Sequence, residues 1–389
     1  MKILILGAYE SNNLGDAVIC ECVAHIIKEH FPDASIVIRD LLSRVREKAI
    51  KPADLTVMKK NQFKSRIGHM ISKYTFFDLV YRQQQNRLNS FLSYLEDLCA
   101  PDYDLVVFAG GQMFMDTYAL FLNYCVQRFK EKQIPVLFHA CGTGPFYSSR
   151  IRKILADALS SENVSYISCR DDVASICRLL KDQPKNILDT YDSALSSAKV
   201  YDQKKDPDAS AIGLGIMYPN TLNTKKVLTF WQNMIRHLDE KNIKWKLFTN
   251  GAAGDDAFAR KLLSSLPEYK GQESIYLVPR GTEPAELVHT ISQFSGLISF
   301  RLHSHILAAS LDIPTVAIVW DHKLPLFFEK INHPERCFHI SDPAEQIIAG
   351  LEQSMVSGYD RTLLAEQISR SDLQLTDAIH HAMTKGGIT

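Results

Sequence analysis

The sequence lacks a net charge. Its 44 lysines and arginines balance 44 aspartates and glutamates, which gives a formal net charge of zero at pH 7 with neutral histidines. Such a chain has no broad field to hold nucleic acid, and it has no concentrated basic arm either. We therefore expect no nucleic-acid partner, and any anionic ligand must be recognised by a local group of side chains.

Pairing motifs for cysteine are also missing. None of the eight cysteines forms a CxxC pair, and most of them lie in apolar runs. This usage is typical of small buried thiols in a reduced compartment, rather than of a disulfide scaffold or a zinc site. The sequence therefore predicts a protein without a metal site.

A long apolar run is the third missing feature. No run approaches the roughly 18 residues that indicate a transmembrane helix, so we expect no membrane span. Met1–Leu4 leads directly into an apolar strand, from which we expect no signal peptide before the fold. Together these observations predict a cytoplasmic protein, whose substrate can still lie at the inner face of the membrane.

What the sequence does contain is a repeated alternation of strands and helices. Apolar runs at Lys2–Leu6, Leu105–Ala109, Val136–Ala140 and Ser165–Cys169 each end in a glycine-containing or charged turn before a helical pattern. Such runs are typical of buried strands in a parallel sheet, where ligands bind at the carboxyl ends of the strands. The pattern predicts an α/β fold with a ligand site at that edge.

The alternation restarts after the linker-like segment Lys199–Ser210 and includes a predicted strand at Ile275–Val278. A chain of 389 residues is about twice the usual domain length. We predict two doubly wound, Rossmann-like parallel-sheet domains that face a cleft, an architecture similar to that of GT-B glycosyltransferases. The predicted parts are residues 1–203, residues 204–355, and C-terminal helices at 356–389 that can cross back to the first domain.

Residues 43–98 interrupt the alternation in the first domain. The segment is rich in lysine, arginine, glutamine and aromatic residues, and Tyr74–Leu98 has helical periodicity. It fits an amphipathic helical insertion packed on its own domain, and it also fits a flap that faces the acceptor or the membrane. The sequence leaves both interpretations open.

The stretch Leu297–Lys323 is the strongest candidate for a ligand site. It reads as a strand, a turn, a helix and a second strand, and Arg301 and His303 flank the start of the helix. A guanidinium, an imidazole and free backbone amides can face one anion there. The pattern therefore predicts an anion site in the second domain.

Short motifs along the chain carry a family resemblance. They are Asn13-Leu14-Gly15-Asp16, Gly110-Gly111 with Asp116, Gly142-Thr143-Gly144-Pro145, Ser168-Cys169-Arg170-Asp171, Arg301-Leu302-His303-Ser304 and Asp321-His322-Lys323. In this order they resemble the motifs of the polysaccharide pyruvyltransferase family. Two departures are visible, because Ala109 stands where the family often has glycine, and His322 stands where proline is usual.

The resemblance implies transfer of a pyruvyl group from phosphoenolpyruvate to two hydroxyls of a sugar, which forms a cyclic ketal. The implied partners are phosphoenolpyruvate and a carbohydrate acceptor, free or lipid-linked, and no cofactor is expected. The donor carries a phosphate and a carboxylate, and arginine binds both kinds of oxyanion in a bidentate fork. Arg170 and Arg301 end strands in different domains, so we expect them to clamp the donor across the cleft.

His303 is the first candidate for acid–base catalysis, because a histidine can titrate near neutral pH. His139, at the end of its predicted strand, is a second candidate. For each histidine the alternative is a hydrogen-bonded core residue, and for Arg301 the alternative is a structural ion pair.

The other candidates for substrate binding lie in the same turns. Trp320 can stack on an acceptor sugar, or it can be a core indole with a satisfied N–H. Lys323 can neutralise the departing phosphate, or it can be an ordinary exposed lysine. Asp16, Asp116 and Asp171 are interpreted mainly as loop organisers, since Asp16 and Asp171 also suit the first turn of a helix. The remaining candidates, which belong to the polar and glycine-rich turns, are Asn13, Gly15, Gly110, Gly111, Gly142, Gly144 and Ser304.

Two other functions remain open. A nucleotide-sugar glycosyltransferase of the GT-B type has the same architecture, but Leu307 occupies the position where such enzymes commonly place a ribose-binding glutamate. A non-catalytic carbohydrate-binding or assembly protein would also keep the fold, and the presence of Arg170, Arg301 and His303 disfavours it. The sequence favours the pyruvyltransferase and leaves the acceptor sugar and the oligomeric state unassigned.

Overall fold

The computed structural model describes residues 1–46, 78–182, 185–219 and 222–385. Much of the insertion predicted at 43–98, and with it the choice between a packed segment and a flap, therefore lies outside the described residues. The last part of that segment is described and forms two helices. Among the described residues, no helix has the length and apolar character needed to cross a membrane.

Six parallel strands form the first sheet, in the order β2-β1-β3-β4-β5-β6. Its order reverses between β1 and β3, which is where doubly wound folds bind ligands. The elements of this first half, in chain order, are β1 (Lys2–Gly7), α1 (Leu14–His30), β2 (Ser35–Asp40), α2 (Leu79–Ser90), α3 (Leu92–Cys99), β3 (Leu105–Ala109), α4 (Asp116–Glu131), β4 (Val136–Cys141), α5 (Ser149–Leu159), β5 (Val164–Cys169), α6 (Val173–Leu179), β6 (Ile187–Asp189) and α7 (Ser197–Val200).

Five parallel strands form the second sheet, in the order β11-β10-β9-β7-β8. Here the order reverses between β7 and β9. The elements of this second half are β7 (Ile212–Gly215), α8 (Thr224–Glu240), β8 (Trp245–Phe248), α9 (Ala253–Ser264), α10 (Glu273–Tyr276), α11 (Pro284–Ser292), β9 (Gly296–Ser299), α12 (Leu302–Ser310), β10 (Thr315–Ile318), α13 (Lys323–Lys330), β11 (Cys337–Phe338), α14 (Ala344–Ser357) and α15 (Arg361–Lys385). Two parallel sheets with helices confirm the predicted α/β fold class.

The central strands are apolar because helices cover both faces of each sheet. Every residue of β3, β4, β9 and β10 is buried. Parallel strands of this kind read as continuous hydrophobic runs rather than as an alternating pattern. This is why the sequence locates them well and why their polar ends stand out.

The two halves are packed against each other. One hydrophobic core includes Val18 of α1 together with Val288 of α11 and Ile306 of α12. The Leu14 amide donates a hydrogen bond to the Asn250 carbonyl oxygen at 2.8 Å, which ties the start of α1 to the end of β8. The carboxyl edges of both sheets consequently meet around the start of α1.

The last helix, α15, lies against the first half of the molecule. Its Ser371 accepts a hydrogen bond from the Thr190 hydroxyl at 2.9 Å, and Gln374 donates to the Asp189 carbonyl oxygen at 3.2 Å. The residue boundaries of the predicted domains stay a prediction.

The prediction of a strand at Ile275–Val278 is wrong. Glu273–Tyr276 forms the short helix α10, and only Leu277 makes a bridge to Leu247 of β8. Tyr276 packs on Trp245 with ring centroids 4.9 Å apart, and this tertiary contact outweighs the local apolar pattern.

Candidate functional site

A cavity of about 210 Å³ opens where the carboxyl edges of the two sheets meet. Both halves contribute to it. Its lining includes Asn13, Asp16, Gln112, Tyr118 and Arg170 from the first half, and Arg301, His303, Trp320, Asp321 and Lys323 from the second. Seven of the predicted site residues therefore surround one space.

The start of α1 forms one wall of the cavity. A Cβ atom on Gly15 would lie 2.4 Å from the Cβ atom of His303, so only glycine lets α1 and α12 approach this closely. The Asn13 side-chain amide donates to Asp16 Oδ2 at 3.1 Å, which organises the turn as predicted for Asp16. The oxygen of that amide, Oδ1, is buried and accepts no hydrogen bond from any residue in the described part of the chain.

The glycine-rich turns form the wall behind Arg170. Gly110 and Gly111 have φ angles of +46° and +69°, which disfavour side chains. The Gly142 amide donates to the Gly111 carbonyl oxygen at 2.7 Å, and a Cβ on Gly142 would lie 3.0 Å from Arg170 Nε. A Cβ on Gly144 would lie 2.7 Å from that of Met115, a residue that lines the cavity. These glycines shape the wall but are not themselves lining residues of the cavity.

Two buried or half-buried aspartates hold these turns together. Asp171 accepts hydrogen bonds from the Thr143 amide at 2.9 Å and from its hydroxyl at 3.1 Å. Asp116 accepts from the Tyr147 amide at 2.7 Å, and burial raises its pKa to about 6. In the structure both carboxylates have backbone partners, as loop organisers do.

Arg170 is buried and forms an ion pair with Asp192, which is buried as well. Burial disfavours the charged guanidinium, but the carboxylates of Asp192 and Asp171 outweigh it and raise the pKa of Arg170. The same Nη1 atom lies 3.4 Å from His303 Nε2, so Arg170 connects the first half to the imidazole.

The contact with Arg170 determines which nitrogen of His303 carries the hydrogen. A guanidinium can only donate, so His303 Nε2 accepts and Nδ1 bears the N–H. Nδ1 faces Asp16, whose Oδ1 atom lies 3.9 Å away. Burial lowers the pKa of His303, Asp16 opposes that shift, and Arg170 adds to it. The imidazole is therefore neutral at neutral pH.

Arg301 is paired differently. Its Nε and Nη2 atoms donate to Asp255 Oδ2 at 3.0 and 2.5 Å, and the Asp255 carboxylate also accepts from the Tyr218 amide at 2.8 Å. Nη1 takes no part in the pair, and the Arg301 side chain is 20% exposed while that of Asp255 is 2% exposed. Arg301 is thus held along one edge of its guanidinium and faces the cavity.

Lys323 and Trp320 complete the wall from the second half. Lys323 Nζ lies 3.1 Å from Gln112 Oε1 and 3.4 Å from Asp321 Oδ2, so it bridges the cleft. Burial lowers its pKa. The Trp320 indole N–H donates to the Phe300 carbonyl oxygen at 2.6 Å, which leaves only the ring surface for the cavity.

Two predicted site residues are not brought to the cavity. His139 of β4 is fully buried, its Nδ1 atom lies 3.4 Å from both Tyr166 Oη and Ser168 Oγ, and burial lowers its pKa to about 4. Ser304 is buried and donates to Asn250 Oδ1 at 2.8 Å. Neither is among the described residues that line the cavity.

Sequence reasoning missed the two carboxylates that hold the arginines, Asp192 and Asp255. It also missed Gln112, which lies between the predicted Gly111 and Asp116 and contacts Lys323. Gln112 could have been predicted, because it lies within the motif that runs from Gly110 to Asp116. Among the described residues, no group of three or more His, Cys, Asp or Glu side chains is placed to hold a metal ion.

The fold and the cleft define a GT-B-like α/β protein. Solved structures agree: a UDP co-structure of S. aureus MnaA has a TM-score of 0.57 at 11% identity and covers 100% of this chain and 97% of its own. UDP-GlcNAc 2-epimerase from Neisseria meningitidis bound to UDP-GlcNAc has a TM-score of 0.58 at 12% identity, with coverages of 98% and 100%. At such low identity these likenesses concern the fold alone.

A match to a family model shows which family the chain belongs to. The polysaccharide pyruvyl transferase model matches residues 13–322, and the chain belongs to that family of transferases. The comparison with curated proteins gave no match. The family membership and the enzyme class predicted from the motifs are thereby confirmed.

Proposed function

We propose that the protein transfers a pyruvyl group from phosphoenolpyruvate to two hydroxyls of a sugar in a glycan or lipid-linked precursor, and that phosphate is released. The observation that carries the proposal is the cavity itself, in which Arg170, Arg301 and Lys323 surround His303. Three cationic groups in so small a space suit a ligand with two anionic ends. Phosphoenolpyruvate has a phosphate at one end and a carboxylate at the other.

The size of the cavity favours this donor over a nucleotide sugar. Its volume of about 210 Å³ lies below the roughly 300–1,000 Å³ of pockets that hold drug-sized ligands. Leu307 stands where nucleotide-sugar enzymes commonly have a ribose-binding glutamate. It lies on α12 and is fully buried in the hydrophobic core. The epimerases that share the fold are described with UDP or UDP-GlcNAc, but their likeness carries no ligand over to this chain.

Arg301 is the main donor-binding residue in this proposal. Its pair with Asp255 fixes the guanidinium along Nε and Nη2, and the remaining Nη1 edge can meet an oxyanion. Lys323, whose ammonium lies between Gln112 and Asp321, suits the phosphate that departs. Arg301 and Lys323 are both held by fixed partners, so they need little reorganisation when charge develops on the leaving group.

His303 moves the proton. The unprotonated nitrogen of the neutral imidazole is Nε2, which can take a proton from the first sugar hydroxyl, in place of its 3.4 Å contact with Arg170 Nη1, as the hydroxyl oxygen bonds to the donor carbon. Passing the same proton to the donor methylene completes the addition without an external acid. The second hydroxyl then displaces the phosphate, which carries the second proton away, and the ketal is closed.

The sugar hydroxyl has a partner in this cavity. Asn13 Oδ1 is buried without a donor from the described residues. An oxyanion cannot donate a hydrogen bond, so this oxygen suits a hydroxyl of the acceptor rather than phosphoenolpyruvate. We expect no cofactor, and the free cysteines, most of them buried, fit a cytoplasmic location with the acceptor free or lipid-linked at the inner membrane face.

The test is direct. The purified protein is incubated with phosphoenolpyruvate and a panel of sugars, and phosphate release is followed together with the product mass. A product heavier by one pyruvyl ketal, formed in step with phosphate, supports the proposal. Consumption of a nucleotide sugar without any use of phosphoenolpyruvate would instead support the glycosyltransferase, and saccharide binding with no turnover would support the non-catalytic protein.

A further inference from the structure

A second, larger cavity adjoins the donor cavity. Its volume is about 830 Å³, and it shares the lining residues Trp320 and Asp321 with the donor cavity, so the two cavities are neighbours. The turn after β4, the outer faces of α5 and α6, and the turn after β10 form its walls. Nothing in the donor chemistry occupies this space.

Aromatic side chains form part of the wall of this second cavity. Phe146, Tyr147 and Trp320 all line it, and Tyr147 is 40% exposed. The indole N–H of Trp320 is already bonded to a backbone oxygen, so its ring contributes apolar surface. Aromatic faces of this kind suit the C–H face of a sugar ring.

Two arginines on the same wall, Arg152 and Arg178, form no close ion pair within the described ranges, although Arg178 helps to lower the pKa of the nearby Asp172. The Arg152 guanidinium lies over the Phe146 ring at 5.7 Å from its centroid, and Arg178 donates to the Ser175 hydroxyl at 2.8 Å. Both also line a groove of about 710 Å³ along α5 and α6, whose other charged residues are Lys153, Lys181, Asp157 and Asp182. The four cationic side chains outnumber the two carboxylates, so an excess of positive charge extends from the second cavity away from the donor.

The carboxylates of the second cavity are already engaged. Asp172 caps α6 by accepting a hydrogen bond from the Ser175 amide at 2.9 Å. Asp321 Oδ1 lies 2.9 Å from His322 Nδ1, and its Oδ2 lies 3.4 Å from Lys323 Nζ. His322, which departs from the family's usual proline, thus holds Asp321 at the junction of the two cavities.

We propose that the second cavity is the acceptor subsite and that it takes a sugar bearing an anionic group, with the sugar ring on Trp320 and the anion on Arg152 and Arg178. This inference rests on the proposed function, because a bound sugar is an acceptor only if the protein transfers a pyruvyl group. A guanidinium recognises phosphate and carboxylate by the same paired N–H groups, so the shared chemistry is an oxyanion attached to the sugar.

The experiment compares three probes of one sugar: the neutral parent, its 1-phosphate and its uronic acid. Pyruvyl transfer from phosphoenolpyruvate is measured for the wild type, Arg152→Gln, Arg178→Gln and the double variant. We expect the KM of the better anionic acceptor to rise by about tenfold or more in the double variant, because charge-assisted hydrogen bonds are lost. The KM for phosphoenolpyruvate should not change.

Arg236→Gln is the matched control, since it removes the same charge from the exposed face of α8, where Arg236 donates a hydrogen bond to Asn233. A preference for the 1-phosphate identifies a phosphate-bearing acceptor, and a preference for the uronic acid identifies a carboxylate. Equal use of the neutral parent by the wild type, or an unchanged KM in the double variant, overturns the inference.

A binding measurement separates this inference from the proposed function. Calorimetric titration of the protein with the 1-phosphate and the uronic acid needs no phosphoenolpyruvate. Binding that the double variant loses supports the anionic subsite even if no pyruvyl transfer is ever found, in which case the proposed function alone fails. If neither anionic probe binds better than the neutral parent, the subsite is overturned even where transfer occurs.

Discussion

Arg170 and Arg301 follow strands of different sheets and line the same cavity, yet they are held in different ways. Arg170 pairs with Asp192, both side chains are at most 5% exposed, and its Nη1 atom also contacts His303. Arg301 pairs with a buried aspartate too, but its own side chain is 20% exposed and it makes no such contact with the imidazole.

The difference suggests a division of roles. Because Arg170 is committed to Asp192 and His303, it acts mainly on the orientation and tautomer of the imidazole. Arg301 keeps an accessible edge and can bind an anion without breaking its pair. The sequence predicted that Arg170 and Arg301 clamp the donor, and we propose from these contacts that Arg170 positions the imidazole while Arg301 binds the donor.

The largest effect is expected for His303→Ala. The variant should lose pyruvyl transfer by about 10² to 10⁴ in kcat, because the group that moves the proton is gone. Steady-state kinetics measures the loss, and circular dichroism should show the fold retained. His237→Ala, on the surface helix α8, is the control, and a near-normal kcat for His303→Ala would remove the imidazole from the chemistry.

Asp192→Asn should have the next largest effect, on stability. Removing one partner of a buried ion pair leaves an uncompensated charge and costs about 3 kcal/mol or more. Urea denaturation should therefore show a lower free energy of unfolding, and kcat should fall because His303 loses its orientation. Unchanged stability would mean that Arg170 finds another partner and that the two arginines do not differ as described.

Arg301→Lys should weaken phosphoenolpyruvate binding by about tenfold, since an ammonium cannot reproduce the paired N–H edge. Calorimetry or fluorescence titration measures the affinity. Arg170→Lys is the matched comparison, and there the larger change should appear in kcat. If both variants lose donor affinity equally, the division of roles is refuted.

The positions of both arginines and of His303 could be predicted from the sequence, because the end of a strand is a local sequence feature. The turn after a buried apolar run located Arg301 and His303, and α12 does begin one residue after Arg301, at Leu302. The motif at Gly142–Pro145 likewise located the wall behind Arg170. Such residues are predictable since β-strand and helix patterns fix which positions stand at the carboxyl edge.

The partners of the arginines were not predictable in the same way. Asp255 lies 46 residues before Arg301 and Asp192 lies 22 residues after Arg170, so only tertiary packing brings each pair together. For His139, the local position in the sequence led to a wrong prediction. The sequence placed it at a strand end, but β4 continues to Cys141 and the side chain lies in the protein interior beside Tyr166 and Ser168.

The pH dependence of turnover gives a smaller effect. In the proposed function the neutral form of His303 is the active form, so kcat should fall as the pH drops through a pKa below the ordinary 6.5. Asp16 favours the imidazolium, and Asp16→Asn should therefore lower that pKa further and move the acid limb of the profile to lower pH. A shift to higher pH would contradict the contact between Asp16 and His303.

The smallest effect is expected for Asp189→Asn, which tests whether burial is what separates strong from weak ion pairs in this protein. Asp189 is 48% exposed and pairs with Lys330 at 2.5 Å across the two halves, and Lys330 also donates to the Thr190 carbonyl oxygen at 2.8 Å. Water and that second partner remain after the substitution, so the free energy of unfolding should fall by about 1 kcal/mol or less and kcat should not change. The loss should shrink further at high salt, because exposed pairs are screened. A loss as large as that of Asp192→Asn would show that contact between the halves, rather than burial, sets the strength of these pairs.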